Sequence, residues 1–237
     1  MVQKNYCEER ILNNMYWSDE GYLLSKNNFD ENSIIVEIFT LNHGKCSGIV
    51  YGGSSKKQKR NFQIGNKIFV NWRSKSENKI GYFNIELINP ISSFFFDDKK
   101  KSTTILSATS ILKILLPERQ INMNIYNSFE KMLNDLKLSN WIKSYIYWEL
   151  FLIKELGFEV SFFDKKESDN LINNSVEINN KFFKVPKILL DDNLNINHFK
   201  DVKEALIFNK NLIVENFILP NKLKFPLFRN ILENYYS

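Results

Sequence analysis

Four cations within five residues, Lys56, Lys57, Lys59 and Arg60, close the segment GKCSGIVYGGSSKKQKR from Gly44 to Arg60. Crowded onto one loop, they attract a polyanion through charge alone. A lysine-rich loop can equally be a solvated turn, so the other cations decide how it is read. Lys26 ends one candidate strand and Lys45 begins another, while Trp72 and Arg73 end a later one and Lys75 follows at once. Together Lys26, Lys45, Lys56, Lys57, Lys59, Arg60, Trp72, Arg73 and Lys75 make a candidate nucleic-acid site. The cations would hold phosphates and the indole would stack on a base. Alternation leaves Trp72 an equal second role, filling the interior of a small barrel.

Catalysis is disfavoured by spacing. Gly44-Lys45-Cys46 lacks the upstream glycine of a phosphate-binding loop, and Gly52-Gly53 leads into lysines and not into a helix. A reactive thiol at Cys46 with His43 as base would need a third, orienting group, and none is evident. With Cys7, Cys46, His43 and His198 as the whole complement of cysteine and histidine, no four-ligand zinc site can be assembled. Glu149 and Glu155 read as carboxylates at the rim of a helix. The expectation is a non-enzyme with no metal and no cofactor.

The elements that must position the cations follow from hydrophobic patterning. From Trp17 to Ile88, short alternating runs separated by polar or glycine corners predict strands at Gly21–Ser25, Ser33–Thr40, Lys45–Tyr51, Ile68–Arg73 and Tyr82–Ile88. Asn42, His43 and Gly44 form the turn between the second and third. Five short strands with a long loop after the third predict a small closed barrel of the oligonucleotide-binding (OB) type, with an SH3-like barrel as the alternative. After Pro90 the spacing changes to three and four. It predicts helices over Thr104–Leu116, Asn124–Leu138 and Trp141–Leu156, then short ones at Phe199–Phe208, Leu212–Leu219 and Leu227–Tyr236. The fold class is α+β: an OB-fold barrel at 15–92, then an α-helical domain at 97–237 with a small insert at about 159–198. Residues 1–14 read as an appended, unstructured extension, with Met15 as a candidate true start.

Across 237 residues the net charge is +5, which favours anionic partners, although lysine and asparagine are abundant throughout, as AT-rich coding alone would make them. No apolar run is long enough to span a bilayer and no signal-peptide core is present, so a cytoplasmic protein is expected.

The motifs WSDEG (17–21), FTLNHG (39–44), GIVYGGSSKKQKR (48–60), LLPER (115–119), WELFLIKELGF (148–158) and the tail NFILPNKLKFPLFR resemble the RecO family of DNA repair proteins in order and spacing. That resemblance implies a bacterial, nucleoid-associated recombination mediator. Such a protein binds single- and double-stranded DNA, anneals complementary strands, and works with RecR to load RecA on DNA coated with single-stranded-DNA-binding protein (SSB). It also implies a pocket on the helical domain for the acidic, phenylalanine-ended SSB tail, for which Lys113, Arg119, Lys143 and Lys154 are candidates by helix position. Many members of the family carry a four-cysteine zinc module after ELGF. Here 159–186 contains neither cysteine nor histidine, so the insert is zinc-less and apolar residues such as Phe162, Phe163, Leu171, Ile172, Phe182 and Phe183 would have to replace the metal. Two other readings stand beside this one: an RNA-binding OB-fold protein, for example in ribosome maturation, and, more remotely, a hydrolase using Cys46 and His43.

Overall fold

The computed structural model describes residues 15–53, 62–75, 80–158, 175–190 and 199–236. Five strands come first: β1 (Met15–Asn28), β2 (Ser33–Thr40), β3 (Gly44–Tyr51), β4 (Lys67–Ser74) and β5 (Gly81–Asn89). Helices α1 (Ile91–Phe94), α2 (Lys99–Leu115), α3 (Met123–Asp135) and α4 (Trp141–Glu155) follow. A hairpin of β6 (Ser175–Ile178) and β7 (Lys181–Lys184), then α5 (Lys187–Leu190), α6 (Phe199–Ile213) and α7 (Leu227–Asn234), complete the chain. The segment expected as a separate helix at Leu212–Leu219 instead continues α6 as a wide π turn over Val214–Ile218.

The strand order is β1-β2-β3-β5-β4, with β4 returning alongside β1. Pairing runs round the sheet but not evenly. β1 pairs with β4 from Met15↔Ser74 to Tyr22↔Lys67, whereas β3 and β5 meet in parallel at only Gly48↔Gly81 and Ile49↔Tyr82. The small closed barrel expected from the sequence is therefore corrected to a rolled sheet whose β3–β5 edge meets in only one weak, two-pair seam. The reason is steric. A side chain on Gly81 would come within 2.1 Å of the Trp72 indole, and one on Gly48 within 2.5 Å of the Phe83 ring, so only glycines let these strands approach over the interior rings.

β1 is much longer than the five residues expected. Its early half, through Ser18, Asp19 and Glu20, looks like a turn by composition, yet Asp19 is buried because it ties down another turn. Its carboxylate accepts hydrogen bonds from Asn42 N (2.7 Å), Asn42 Nδ2 (3.0 Å) and Glu20 N (2.9 Å) and meets His43 Nδ1 at 2.9 Å. That clamps the β2–β3 turn.

Two apolar cores result. One fills the rolled sheet and includes Leu23, Val36, Ile38, Val50, Phe62, Ile68, Val70, Trp72 and Phe83. The other lies among the helices and takes in Tyr22, Leu24 and Phe39 from the outer face of β1 and β2, with Tyr22 packed edge-on against Phe129 at 5.1 Å. Burial of this kind contributes roughly 25 cal/mol per Å² of apolar surface, so the helices hold one outer face of the sheet firmly.

Polar ties reinforce the contact. Lys67 Nζ lies 2.7 Å from Glu130 Oε1 and 3.0 Å from Glu20 Oε1, and the Tyr22 hydroxyl donates to Glu130 at 2.8 Å. Lys113 pairs with Glu37 at 2.6 Å, and Lys45 Nζ donates to the Lys113 carbonyl at 2.7 Å.

Glu149 corrects another expectation. It lies in the centre of the helical region and not at a rim, fully buried and bound by Arg229 through Nε at 2.5 Å and Nη2 at 3.2 Å. Tyr145 donates to it at 2.7 Å and Asn209 Nδ2 at 3.1 Å, so each carboxylate oxygen is paired. Of the apolar residues expected to fill the insert, Phe162, Phe163, Leu171 and Ile172 lie outside the described residues. Phe183 packs on the helical core while Phe182 faces solvent.

Candidate nucleic-acid interface

Register aligns one level of side chains across four strands. Tyr16 on β1 pairs with Arg73 on β4, and Arg73 pairs with Tyr82 on β5. Tyr51, the last residue of β3, stacks on Tyr82 with ring centroids 5.2 Å apart and planes 17° from parallel. Because successive side chains on a strand face opposite ways, this row lies outside while its neighbours Trp17, Trp72 and Phe83 lie inside. The outer rings are open to solvent: Tyr16 is 55% exposed, Tyr51 66% and Tyr82 38%.

The row is organised before any ligand arrives. Tyr16 donates its hydroxyl proton to Asn71 Oδ1 at 2.9 Å, and the Arg73 guanidinium lies 5.4 Å from the Tyr16 ring centre. A hydrogen bond with Tyr82 raises the Tyr51 phenol above its ordinary pKa. Tyr16, Arg73, Ser74, Lys75 and Tyr82 line a depression of about 430 Å³. Flat rings with two cations beside them match a single strand, whose bases offer π faces and whose phosphates are anionic.

The residues expected at this site separate. Arg73 and Lys75 stand together on the outer row. Trp72 is in the interior, 4% exposed, so the ring expected to stack is a filler, and the exposed rings at this end of the sheet are tyrosines. Lys45 is buried, its ammonium committed to the Lys113 carbonyl. Lys26 stands at the far end of β1, where its ammonium donates to the Phe62 carbonyl beside Asp30 and Glu31. Lys56, Lys57, Lys59 and Arg60 lie outside the described residues; in sequence they begin four residues beyond Gly52, whose φ of +70° makes the corner after Tyr51. Tyr16, Tyr51 and Tyr82 were not singled out from sequence. The signal that finds them is phase, since each sits opposite to the inward positions of its strand.

A second site lies between α3 and α4. Lys131 and Met132 from α3, with Lys143, Tyr147, Phe151 and Lys154 from α4, line a groove of about 710 Å³. The α4 residues recur at spacings of three and four and so form one stripe. Trp148 also lines it, and its buried indole N–H has no partner among the described residues. Of the four cations that are candidates by helix position, Lys143 and Lys154 line this groove together, and Lys113 and Arg119 do not join them. Lys113 is paired with Glu37, and the Arg119 guanidinium lies 5.8 Å from the Trp72 ring at the end of the sheet.

Cys46 does not meet the needs of a nucleophile. Its thiol donates to the His43 carbonyl at 3.3 Å while the His43 ring faces Asp19, and burial pushes the thiol pKa up to about 12. Among the described residues no three His, Cys, Asp or Glu side chains cluster so as to hold a metal ion, and no helix is long and apolar enough to cross a membrane.

Comparison with known proteins follows the same division of the chain. The family model described as "Recombination protein O N terminal" matches residues 15–91, and "Recombination protein O C terminal" matches residues 97–198. Curated relatives named "DNA repair protein RecO" include one from Wolbachia pipientis subsp. Culex pipiens (strain wPip). It is 30% identical over 148 residues, which are 62% of this chain and 60% of the relative. Another, from Roseobacter denitrificans, is 31% identical over 148 residues, 62% of this chain and 61% of the relative. A third, from Cereibacter sphaeroides (strain ATCC 17029), is 31% identical over 144 residues, 61% of this chain and 60% of the relative. The alignments thus span about three fifths of these relatives. With both family models matched in order over most of its length, the chain belongs to the recombination protein O (RecO) family.

Proposed function

We propose that the protein is a recombination mediator in DNA repair, binding DNA without catalysing a covalent step. The observation that carries this reading is the outer row Tyr16, Arg73, Tyr82 and Tyr51 with Lys75, which continues along the chain into Lys56–Arg60. Stacking would hold bases of a single strand while Arg73, Lys75 and the basic loop neutralise phosphates, whether of one strand or of a duplex. Two complementary strands repel through their backbones. A protein that lowers this repulsion and keeps bases unpaired but ordered favours their annealing.

In this reading residues 15–92 handle DNA and 97–237 handle protein partners. The α3/α4 groove is the site for the SSB tail: Met132, Tyr147 and Phe151 offer an apolar floor to its terminal phenylalanine, and Lys131, Lys143 and Lys154 a cationic rim to its acidic residues. Work with RecR and delivery of RecA onto coated DNA are the further steps implied by family membership, in the bacterial cytoplasm at the nucleoid.

Anisotropy of a labelled single strand tests the row. Tyr82→Ala should weaken binding by about 1–3 kcal/mol, the worth of one base–aromatic stack. Arg73→Ala should reduce the magnitude of the slope of log K against log salt by about 0.7, the value for one phosphate contact on a single strand. Unchanged affinity and unchanged slope in both variants would remove the row from the site. Competition with RNA of equal length separates this reading from an RNA-binding one.

A further inference from the structure

Behind the outer row, the same end of the sheet carries a second aromatic assembly that none of the roles above uses. Trp17 is sandwiched: its ring lies 4.0 Å from that of His43, within 8° of parallel, and 5.4 Å from Trp72 at 18°. Arg119 stands over Trp72. Beside this stack opens a pocket of about 230 Å³ lined by Met15, Trp17, Asn42, His43, Trp72 and Arg119, among others.

Each polar group at the pocket is held in place from behind. Asp19 orients His43 through Nδ1 and Asn42 through its amide, and its own side chain is 2% exposed. Arg119 adopts a φ of 58° and its backbone N–H donates to the Lys45 carbonyl at 2.8 Å, while Glu118 bridges to the same strand. The arm that presents the guanidinium is therefore fastened to β3 and is not a loose loop.

We propose that this pocket takes one unpaired nucleobase from a DNA strand held on the outer tyrosine row, a proposal that rests on the reading of that row as the strand-binding face. Rings and a guanidinium with polar edges beside them suit a planar heterocycle, which can lie against them and hydrogen-bond at the rim of the pocket. A purely apolar occupant would strip water from those groups without replacing it, which is costly. A phosphate would have the Asp19 carboxylate directly behind His43 and Asn42. Reach follows from register. Tyr16 and Trp17 are consecutive and point to opposite faces, so a backbone at Tyr16 and Arg73 lies at the rim, and one nucleotide turned over that rim enters the pocket. A base pinned there would fix the strand's position while its neighbours remain available for pairing.

The test uses short oligonucleotides of abasic sites carrying a single 2-aminopurine, titrated against the full chain beside an all-abasic control. The single base should raise affinity about fivefold or more, the worth of one stack, and its emission should be quenched on binding. Arg119→Lys, which keeps the charge but loses the flat fork, and His43→Ala should each abolish both effects. Tyr82→Ala should leave the quenching in place. If instead Tyr82→Ala removes the gain and the two pocket variants keep it, the base stacks outside and the pocket proposal falls while strand binding stands. If neither oligonucleotide nor an ordinary single strand binds, the reading of the face falls and the pocket with it.

Discussion

Arg229 and Glu149 in the helical region are sealed from solvent, whereas Tyr16, Tyr51 and Tyr82 on the rolled sheet stand in it. Each arrangement runs against the usual preference of its residues, since charges favour water and large rings favour cores. In the helices the buried charges meet every demand of one another, with Tyr145, Asn209 and the Leu206 carbonyl completing the shell. On the sheet the rings satisfy one another only in part. The first arrangement is complete in itself and serves the fold; the second leaves ring faces in solvent, where the proposed strand would bind.

The largest effect should come from breaking the complete arrangement. Arg229→Ala leaves Glu149 buried without its counter-charge and should cost about 3–5 kcal/mol, read as the shift in free energy from urea denaturation. Burial opposes the Arg229 charge, but Glu149 and Tyr145 prevail and raise its pKa, so the guanidinium stays charged beside the carboxylate. DNA affinity per folded molecule should not change. A loss of affinity in the folded fraction would show that the two regions are coupled.

Next in size is the seam between β3 and β5. Gly81→Ala drives a methyl into the Trp72 indole and should cost about 1–3 kcal/mol, as overpacking does. It also displaces Tyr82, the adjacent residue, so stability and DNA affinity should fall together. Tyr51→Ala should separate the two: stability within about 0.5 kcal/mol of the parent, as for surface changes generally, but weaker strand binding. Parallel losses in Tyr51→Ala, measured by urea denaturation and anisotropy, would mean that the ring serves the fold after all.

Alternation made β2, β3, β4 and β5 legible almost to the residue, and helical spacing did the same for α3 and α4, because local pattern carries both. What was not legible depends on partners distant in sequence. Asp19 looks like a turn residue until Asn42 and His43 come back to it across more than twenty positions. Glu149 looks like a surface carboxylate until Arg229 arrives from 80 residues away. The same holds for the cations. Lys45 and Arg73 are alike in a strand pattern, yet one faces α2 and is spent on a carbonyl while the other faces water. Residue type told that cations were present, and phase told which face they took. Only packing decides which face the helices cover.

The smallest effect lies at the boundary of the two regions, in the tie between Lys67 and Glu130. Burial opposes both charges. Hydrogen bonds from Lys67 and Tyr22 nevertheless lower the Glu130 pKa below 4.5, and those to Glu130 and Glu20 raise that of Lys67 above 10.5. A lowered carboxylate contributes stability above its unfolded pKa and loses it as pH falls through the folded one; a raised amine contributes below its unfolded pKa and loses it as pH rises through the folded one. The tie should therefore be intact between about pH 5 and pH 10 and fade on either side. Because Glu130 is 35% exposed, solvent screens the pair and its worth is at most about 1 kcal/mol. Urea midpoints of the parent and of Lys67→Met, followed across this range, should differ by a constant amount in the plateau and converge in acid and in alkali. A difference that persisted unchanged below pH 4 would place the effect of Lys67 in packing of its alkyl stem and not in its charge.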